Sequence, residues 1–274
     1  MSYLKTFLCC VIWIYSIAAC ATIKAIVGIA PLQYAVERVG GNLVEVTPLV
    51  SSSQDPETYE PTPKQLKIIS HADFYYEMGL PFEEILLAKI KKYNPSLHVV
   101  DLRKRVKFRD LEGAPDPHIW TSPLVFQQMA DKIYQSLVTF DPADKPVFNK
   151  NYSALTHDLM ELNKNIHALL DTMPNKHVLV FHPAWGYFFD NYGLTQLAIE
   201  TEGKERGPQD FAKTLDAIKT AKIKTIFIQP QFSKTQAEAV ARQLNLKVAV
   251  IDPFAHDYIA NLLLVAKTIK ANNC

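Results

Sequence analysis

Cysteine is scarce in this chain, and its placement leaves it little to do. Of the 4 cysteines in 274 residues, Cys9 and Cys10 lie inside the apolar opening segment, Cys20 lies at its end, and Cys274 stands alone. No disulfide framework can be drawn from these and no thiolate cluster exists, so any metal site has to use imidazole and carboxylate. An excess of one charge is also missing. Lys plus Arg number 29 against 28 Asp plus Glu, with no long run of either sign. That argues against a nucleic-acid partner, whose phosphates demand a basic face. The sequence has no GxxxxGK phosphate loop, no internal repeat, no low-complexity segment and no membrane-length apolar run after residue 21.

What is present begins with "MSYLKTFLCCVIWIYSIAACA", residues 1–21, which reads as an export signal. Lys5 supplies the positive start, Leu4 to Ile17 the apolar middle, and Ala18, Ala19 and Ala21 the small residues of a cleavage site. The run is short for a span of about 20 residues. Its end, "IAAC", resembles a bacterial lipobox, which makes Cys20 the expected lipid-modified first residue of the mature chain. Cleavage after Ala21 is the competing expectation. One acyl group anchors weakly, whereas several hold firmly.

Beyond this segment, short β-branched runs alternate with segments of helical period. Residues 22–30, 43–50, 72–79 and 97–102 read as strands, as do 176–182, 194–200, 224–230 and 247–253. Helical segments such as "PFEEILLAKIKKYN" and "SKTQAEAVARQLN" fall between them, several opened by proline. Strand, helix, strand marks a parallel sheet, so the expected fold is α/β with two doubly wound lobes. From Pro142 to about Leu170 there is no Gly, and Tyr152, Leu155, Leu159, Leu162, Ile166 and Leu169 recur at steps of three and four. One long helix of roughly 40 Å is expected there, with a break near residues 149–151 as the alternative. The expected layout is an N-terminal lobe over 22–141, a connecting helix over 142–173 and a C-terminal lobe over 174–274, with a ligand cleft between the lobes.

Ligands of doubly wound sheets bind beyond the carboxyl ends of strands. Four chemistry-bearing residues fall in such places. Glu57 sits in the proline-stiffened loop "SSSQDPETYEPTPKQ", His118 in "GAPDPHIWTSP", His182 directly after "KHVLVF", and Asp252 after "KVAVI". Two imidazoles with one or two carboxylates suit a borderline divalent ion such as Zn²⁺. Singly these signals are weak, because a lone His at a strand end is more often a hydrogen-bonded structural group.

At the same residues the chain resembles the metal-binding substrate-binding proteins of bacterial zinc and manganese ABC importers (ZnuA/TroA-like). The similarity runs from about residue 23 to 270 and rests on "TYEPTPKQ", "DPHIWTSP", "FHPAWGYF", "EGKERGP", "FIQPQFS" and "IDPFAHDY", in order and at fitting separations. The resemblance implies two α/β lobes bridged by one rigid helix. It also implies metal ligation by His118, His182 and Asp252, and a non-enzymatic receptor that hands its ion to a membrane permease driven by a cytoplasmic ATPase. A monomer, exported or lipid-anchored at the outer face of the membrane, is expected. Manganese-preferring relatives usually carry a carboxylate where His182 stands, so zinc is favoured, with Mn²⁺ or Fe²⁺ as alternatives.

The chain departs from the family pattern twice. It reads "DPETYEPTP" where the family commonly reads "DPHxYEPTP", which puts Glu57 in the place of a histidine ligand, and the His-rich insertion common in zinc members is missing. Glu57 either completes the shell or turns to solvent and leaves three ligands plus water. Glu60 is expected to hold the loop's shape. Asp116 and Glu202 are the candidate carboxylate partners of the histidines, His256 a candidate outer neighbour, and Trp185 a group that packs and dries the cleft. His71, His98, His157, His167 and His177 read as surface or capping residues. The competing functions are a zinc hydrolase using the same shell, for which no general base offers itself, and a metal-binding surface adhesin.

Overall fold

The computed structural model describes residues 22–273 except Glu112, Glu202, Gly203, Arg206 and Ser233. The export segment with Cys20, and the Glu202 expectation, lie outside the described residues. In chain order the first lobe contains β1 (Ile23–Val27), α1 (Ala30–Gly40), β2 (Val44–Pro48), α2 (Pro63–Ile69), β3 (Phe74–Glu77), α3 (Pro81–Tyr93) and β4 (His98–Asp101). A small hairpin of β5 (Asp110–Leu111) and β6 (Ala114–Pro115) follows, then α4 (Pro123–Phe140) and the long α5 (Lys145–Leu170). The second lobe adds β7 (His177–Val180), α6 (Gly186–Asn191), β8 (Thr195–Ala198), the hairpin β9 (Glu200–Thr201) and β10 (Lys204–Glu205), α7 (Pro208–Thr220), β11 (Thr225–Ile228), α8 (Lys234–Leu244), β12 (Lys247–Val250) and α9 (Tyr258–Asn272).

Each lobe is built on a four-stranded parallel sheet, ordered β2-β1-β3-β4 in the first and β12-β11-β7-β8 in the second. Reversed, the second order is second, first, third, fourth, the same as the first lobe. The chain therefore repeats one topology without repeating its sequence. Both sheets put a switch of winding direction beside their first strand, and there the loops at the carboxyl ends leave a crevice.

The join is made by a single helix. α5 carries 26 residues, about 39 Å at 1.5 Å per residue, and runs unbroken through residues 149–151. Phe148, Leu155, Leu159, Leu162, Ile166 and Leu170 form its buried stripe. Leu170 takes the place expected of Leu169, which is only partly buried, because a step of four from Ile166 stays on the inner face as well as a step of three. Along its length, Asn151 donates to Val39 O and Asp158 pairs with Arg38 of α1, while Asn163 accepts from Tyr192 beyond α6.

A second strut, unanticipated from the sequence, is α9. It packs along α5 and touches both lobes. Near its start Tyr258 stacks on Phe126 of α4 and donates to Trp120 O. Just past its end Asn273 donates to Asn175 O and His177 O. One contiguous apolar cluster accordingly runs from Val27 and Phe74 through Leu159 to Val180 and Phe188. A smaller cluster, including Leu179, Ile226 and Ala241, fills the other face of the second sheet.

Candidate metal centre

The loop after β2 is fixed by its own side chains. Asp55 Oδ1 accepts the Glu57 N–H at 2.9 Å, Thr62 and Gln65 form a reciprocal capping box on α2, and Gln65 Nε2 reaches back to Leu49 O. These contacts turn Glu57 inward. Its Oε1 lies 3.2 Å from His182 Nε2, and its side chain keeps 26% exposure. Glu60, three residues on, is exposed and lines an outer groove, not the inner chamber.

His118 follows the β5–β6 hairpin and is buried. Its Nδ1 is 2.9 Å from Asp116 Oδ1, which also accepts the His118 N–H. An ionised carboxylate only accepts, so this contact holds the proton on Nδ1 and leaves Nε2 facing the cleft. Burial alone would raise the Asp116 carboxyl, but the His118 ring and backbone, and then Arg109, hold it below the usual range.

His182 lies two residues beyond Val180 at the end of β7. Its Nδ1 is 2.8 Å from Glu200 Oε1, its Nε2 is 3.3 Å from His118 Nε2, and its ring stacks on Phe232 at 4.7 Å. Burial alone would push its pKa down. The hydrogen bonds and charges of Glu200 and Glu57 overcome that and raise it to about 9. Glu57 moves the opposite way: burial would raise it, and its hydrogen bond to His182 and the nearby imidazoles bring it below the ordinary value. Without metal, an imidazolium bridges two carboxylates.

Glu57, His118 and His182 each offer a ligand atom, all within 4.8 Å of one another. A tetrahedral ion with arms of about 2.0–2.1 Å has ligand–ligand edges of about 3.3–3.4 Å. The Nε2–Nε2 and Nε2–Oε1 separations of 3.3 and 3.2 Å are close to such edges. The three line a cavity of about 420 Å³ otherwise walled by apolar groups such as Pro117, Trp120 and Phe254.

The structure does not bring Asp252 into this trio. Its Oδ1 accepts from Gln231 Nε2 at 3.0 Å and from the Phe254 N–H at 2.9 Å, and the same Gln231 amide donates to Ser52 O across the cleft. His256 is turned away to α1, where its Nε2 meets Glu37 Oε2 at 2.8 Å and its ring stands edge-on to Tyr34. Trp185 is wholly buried against Phe188 and does not line the chamber. Glu200 is the partner the sequence reading passed over. The register that pairs Val180 with Ala198 sets His182 and Glu200, each two residues further on, side by side. Adjacent strand ends were its signal.

Two parallel-sheet lobes braced by a long helix, with imidazoles and a carboxylate converging between them, define the class of metal-binding solute-binding proteins. More narrowly, the chain belongs to the ZnuA family, described as "Zinc-uptake complex component A periplasmic", which matches residues 26–272. The crystal structure of ZnuA superposes with a TM-score of 0.87 at 35% identity, covering 93% of this chain and 100% of that one. The high-affinity zinc uptake system protein ZnuA of Bacillus subtilis is 26% identical over 227 residues, 76% of this chain and 71% of the relative. The manganese-binding lipoprotein MntA of Halalkalibacterium halodurans is 26% identical over 233 residues, 83% and 77% of the two chains.

Proposed function

We propose that this chain is the extracytoplasmic receptor of an ABC importer, capturing Zn²⁺ through His118 Nε2, His182 Nε2 and Glu57, and yielding it to a membrane permease powered by a cytoplasmic ATPase. The observation that carries the reading is the pair of tetrahedral-edge separations among these atoms, 3.3 and 3.2 Å, with both Nε2 atoms directed into the shared space by carboxylates on Nδ1. Two imidazoles favour zinc, and the Glu57 oxygen keeps Mn²⁺ or Fe²⁺ within reach. Asp252, which stands apart from the trio and is held by Gln231 and the Phe254 N–H, is the fourth candidate ligand. Lobes over 22–141 and 174–274 joined by 142–173, export by residues 1–21 and lipid anchoring through Cys20 complete the proposal.

The decisive experiment is isothermal titration of the purified chain with Zn²⁺ and Mn²⁺, alongside His118→Ala, His182→Ala, Glu57→Ala and Asp252→Asn. Each histidine loss should weaken zinc by more than the about 10–100-fold typical of removing an outer partner, and Glu57→Ala should weaken it less. Equal losses would make Glu57 a full ligand. No zinc binding by the unaltered chain, or full binding without His118, would end the receptor reading. Metal-dependent turnover of ester substrates would replace it with a hydrolase.

A further inference from the structure

The base of the β5–β6 hairpin, where the Asp116 N–H donates to Arg109 O, lies against α6 of the other lobe. The Arg109 guanidinium there has three neighbours. Its Nη1 is 3.0 Å from Asp116 Oδ2, its Nε and Nη2 face the carboxylate of Asp190 on α6, and its Cζ lies 5.7 Å from the Tyr187 ring centre. The backbone closes the knot: the Arg109 N–H donates to Tyr187 Oη, which donates to Asp116 O.

Asp116 has no exposed side-chain surface. One oxygen orients His118 and the other meets Arg109. Gly186, four residues after His182, makes room for this arrangement. A Cβ there would sit 1.6 Å from Arg109 Nη1 and 2.5 Å from its Cζ. The guanidinium thus occupies the space of a missing side chain, bracing the His118 segment against the helix that follows His182.

We propose that Arg109 is a positioning residue for metal capture: it locks Asp116 onto His118 and registers that histidine against the His182 lobe through Asp190 and Gly186. The inference rests on the proposed zinc-receptor reading. A planar five-donor fork can serve two carboxylates at once with fixed geometry, which a lysine ammonium cannot. Without it, Asp116 Oδ2 is left buried and unpaired, and the carboxylate is free to turn.

The test measures zinc affinity by competition with a chromophoric chelator, and the visible spectrum of the Co²⁺-loaded chain, in Arg109→Gln, Arg109→Lys, Gly186→Ala and Asp190→Asn. Melting of each metal-free variant is followed in parallel. Arg109→Gln and Gly186→Ala should both weaken zinc by about 10-fold or more and shift the cobalt bands. Gly186→Ala retains every charge and a helical backbone, and its Cβ would also lie 3.0 Å from Asp116 Oδ2, so a shared loss traces to the Arg109–Asp116 pair. Asp190 is the exposed partner, and Asp190→Asn should cost only about two- to fivefold. Arg109→Lys should restore melting more than affinity. Unchanged affinity and cobalt spectra in Arg109→Gln and Gly186→Ala, with the unaltered chain binding zinc, would overturn the proposal. If Arg109→Gln does not fold, Gly186→Ala decides. Failure of the unaltered chain to bind zinc would remove the receptor reading itself.

Discussion

Zinc entry should expel about one proton from His182. In the metal-free chain this imidazole is held between Glu200 on Nδ1 and Glu57 on Nε2, and its pKa is raised to about 9. At pH 7.5 it is therefore about 97% protonated, whereas at an ordinary value near 6.5 only about a tenth would be. The ion must take the Nε2 position that the proton holds. Calorimetry at pH 7.5 in buffers of different ionisation enthalpy reads the count directly, and His182 alone should contribute close to one proton per zinc. Because the competing proton binds the metal-free state, zinc affinity strengthens with pH. It should rise close to tenfold per unit below about pH 8 and level off above about pH 9, roughly 30-fold in all from pH 7.5. Glu200→Gln removes the first partner, so fewer protons should be released. A heat of binding independent of buffer, with less than about 0.2 proton displaced, would refute the reasoning.

Other outcomes follow from groups away from the ion. Glu83 is fully buried, accepts from Tyr75 Oη and the Met78 and Leu80 N–H groups, and is raised by burial to about 7 against those contacts. Its contribution to folding is complete below the unfolded pKa near 4.5 and is lost as pH rises through 7. The metal-free melting temperature should decline over that window by the equivalent of on the order of 3 kcal/mol, and Glu83→Gln should flatten the slope in thermal scans. Leu159 is 1% exposed on the inner stripe of α5, so Leu159→Ala should cost about 2–5 kcal/mol in denaturant unfolding. Zinc affinity of the refolded protein should be unchanged, and a matching loss of affinity would show that the strut and the site are coupled.

Much of the framework was legible because local pattern and tertiary role agreed. The core strands Val178–Val180 and Ile226–Ile228 are buried on both faces, as the unbroken apolar runs implied. The stripe from Leu155 to Ile166 predicted the long helix to within a turn. Where pairing decides structure, sequence was mute: the two-residue strands of the hairpins exist only against each other, and the common strand order has no sequence repeat to betray it. α9 was readable but passed over. Asp257 caps it, and Tyr258, Leu262, Val265 and Ile269 keep helical spacing. At the site, Glu57, His118 and His182 came together from three loops. The roles of Glu200 and Arg109 depend on strand register and on space beside Gly186, which no local motif records.

The helix over Tyr258–Asn272 also bears on the order in which the molecule is assembled. It supplies the Phe126 stack and the Trp120 contact of one lobe, and Asn272 O receives Thr225 Oγ1 in the other. A chain emerging from the ribosome can therefore form both sheets and still leave an apolar trough along α5, open until residues 258–273 arrive. A chain cut short before Tyr258 should accordingly keep its two sheets but bare the apolar side of α5 that the last helix covers.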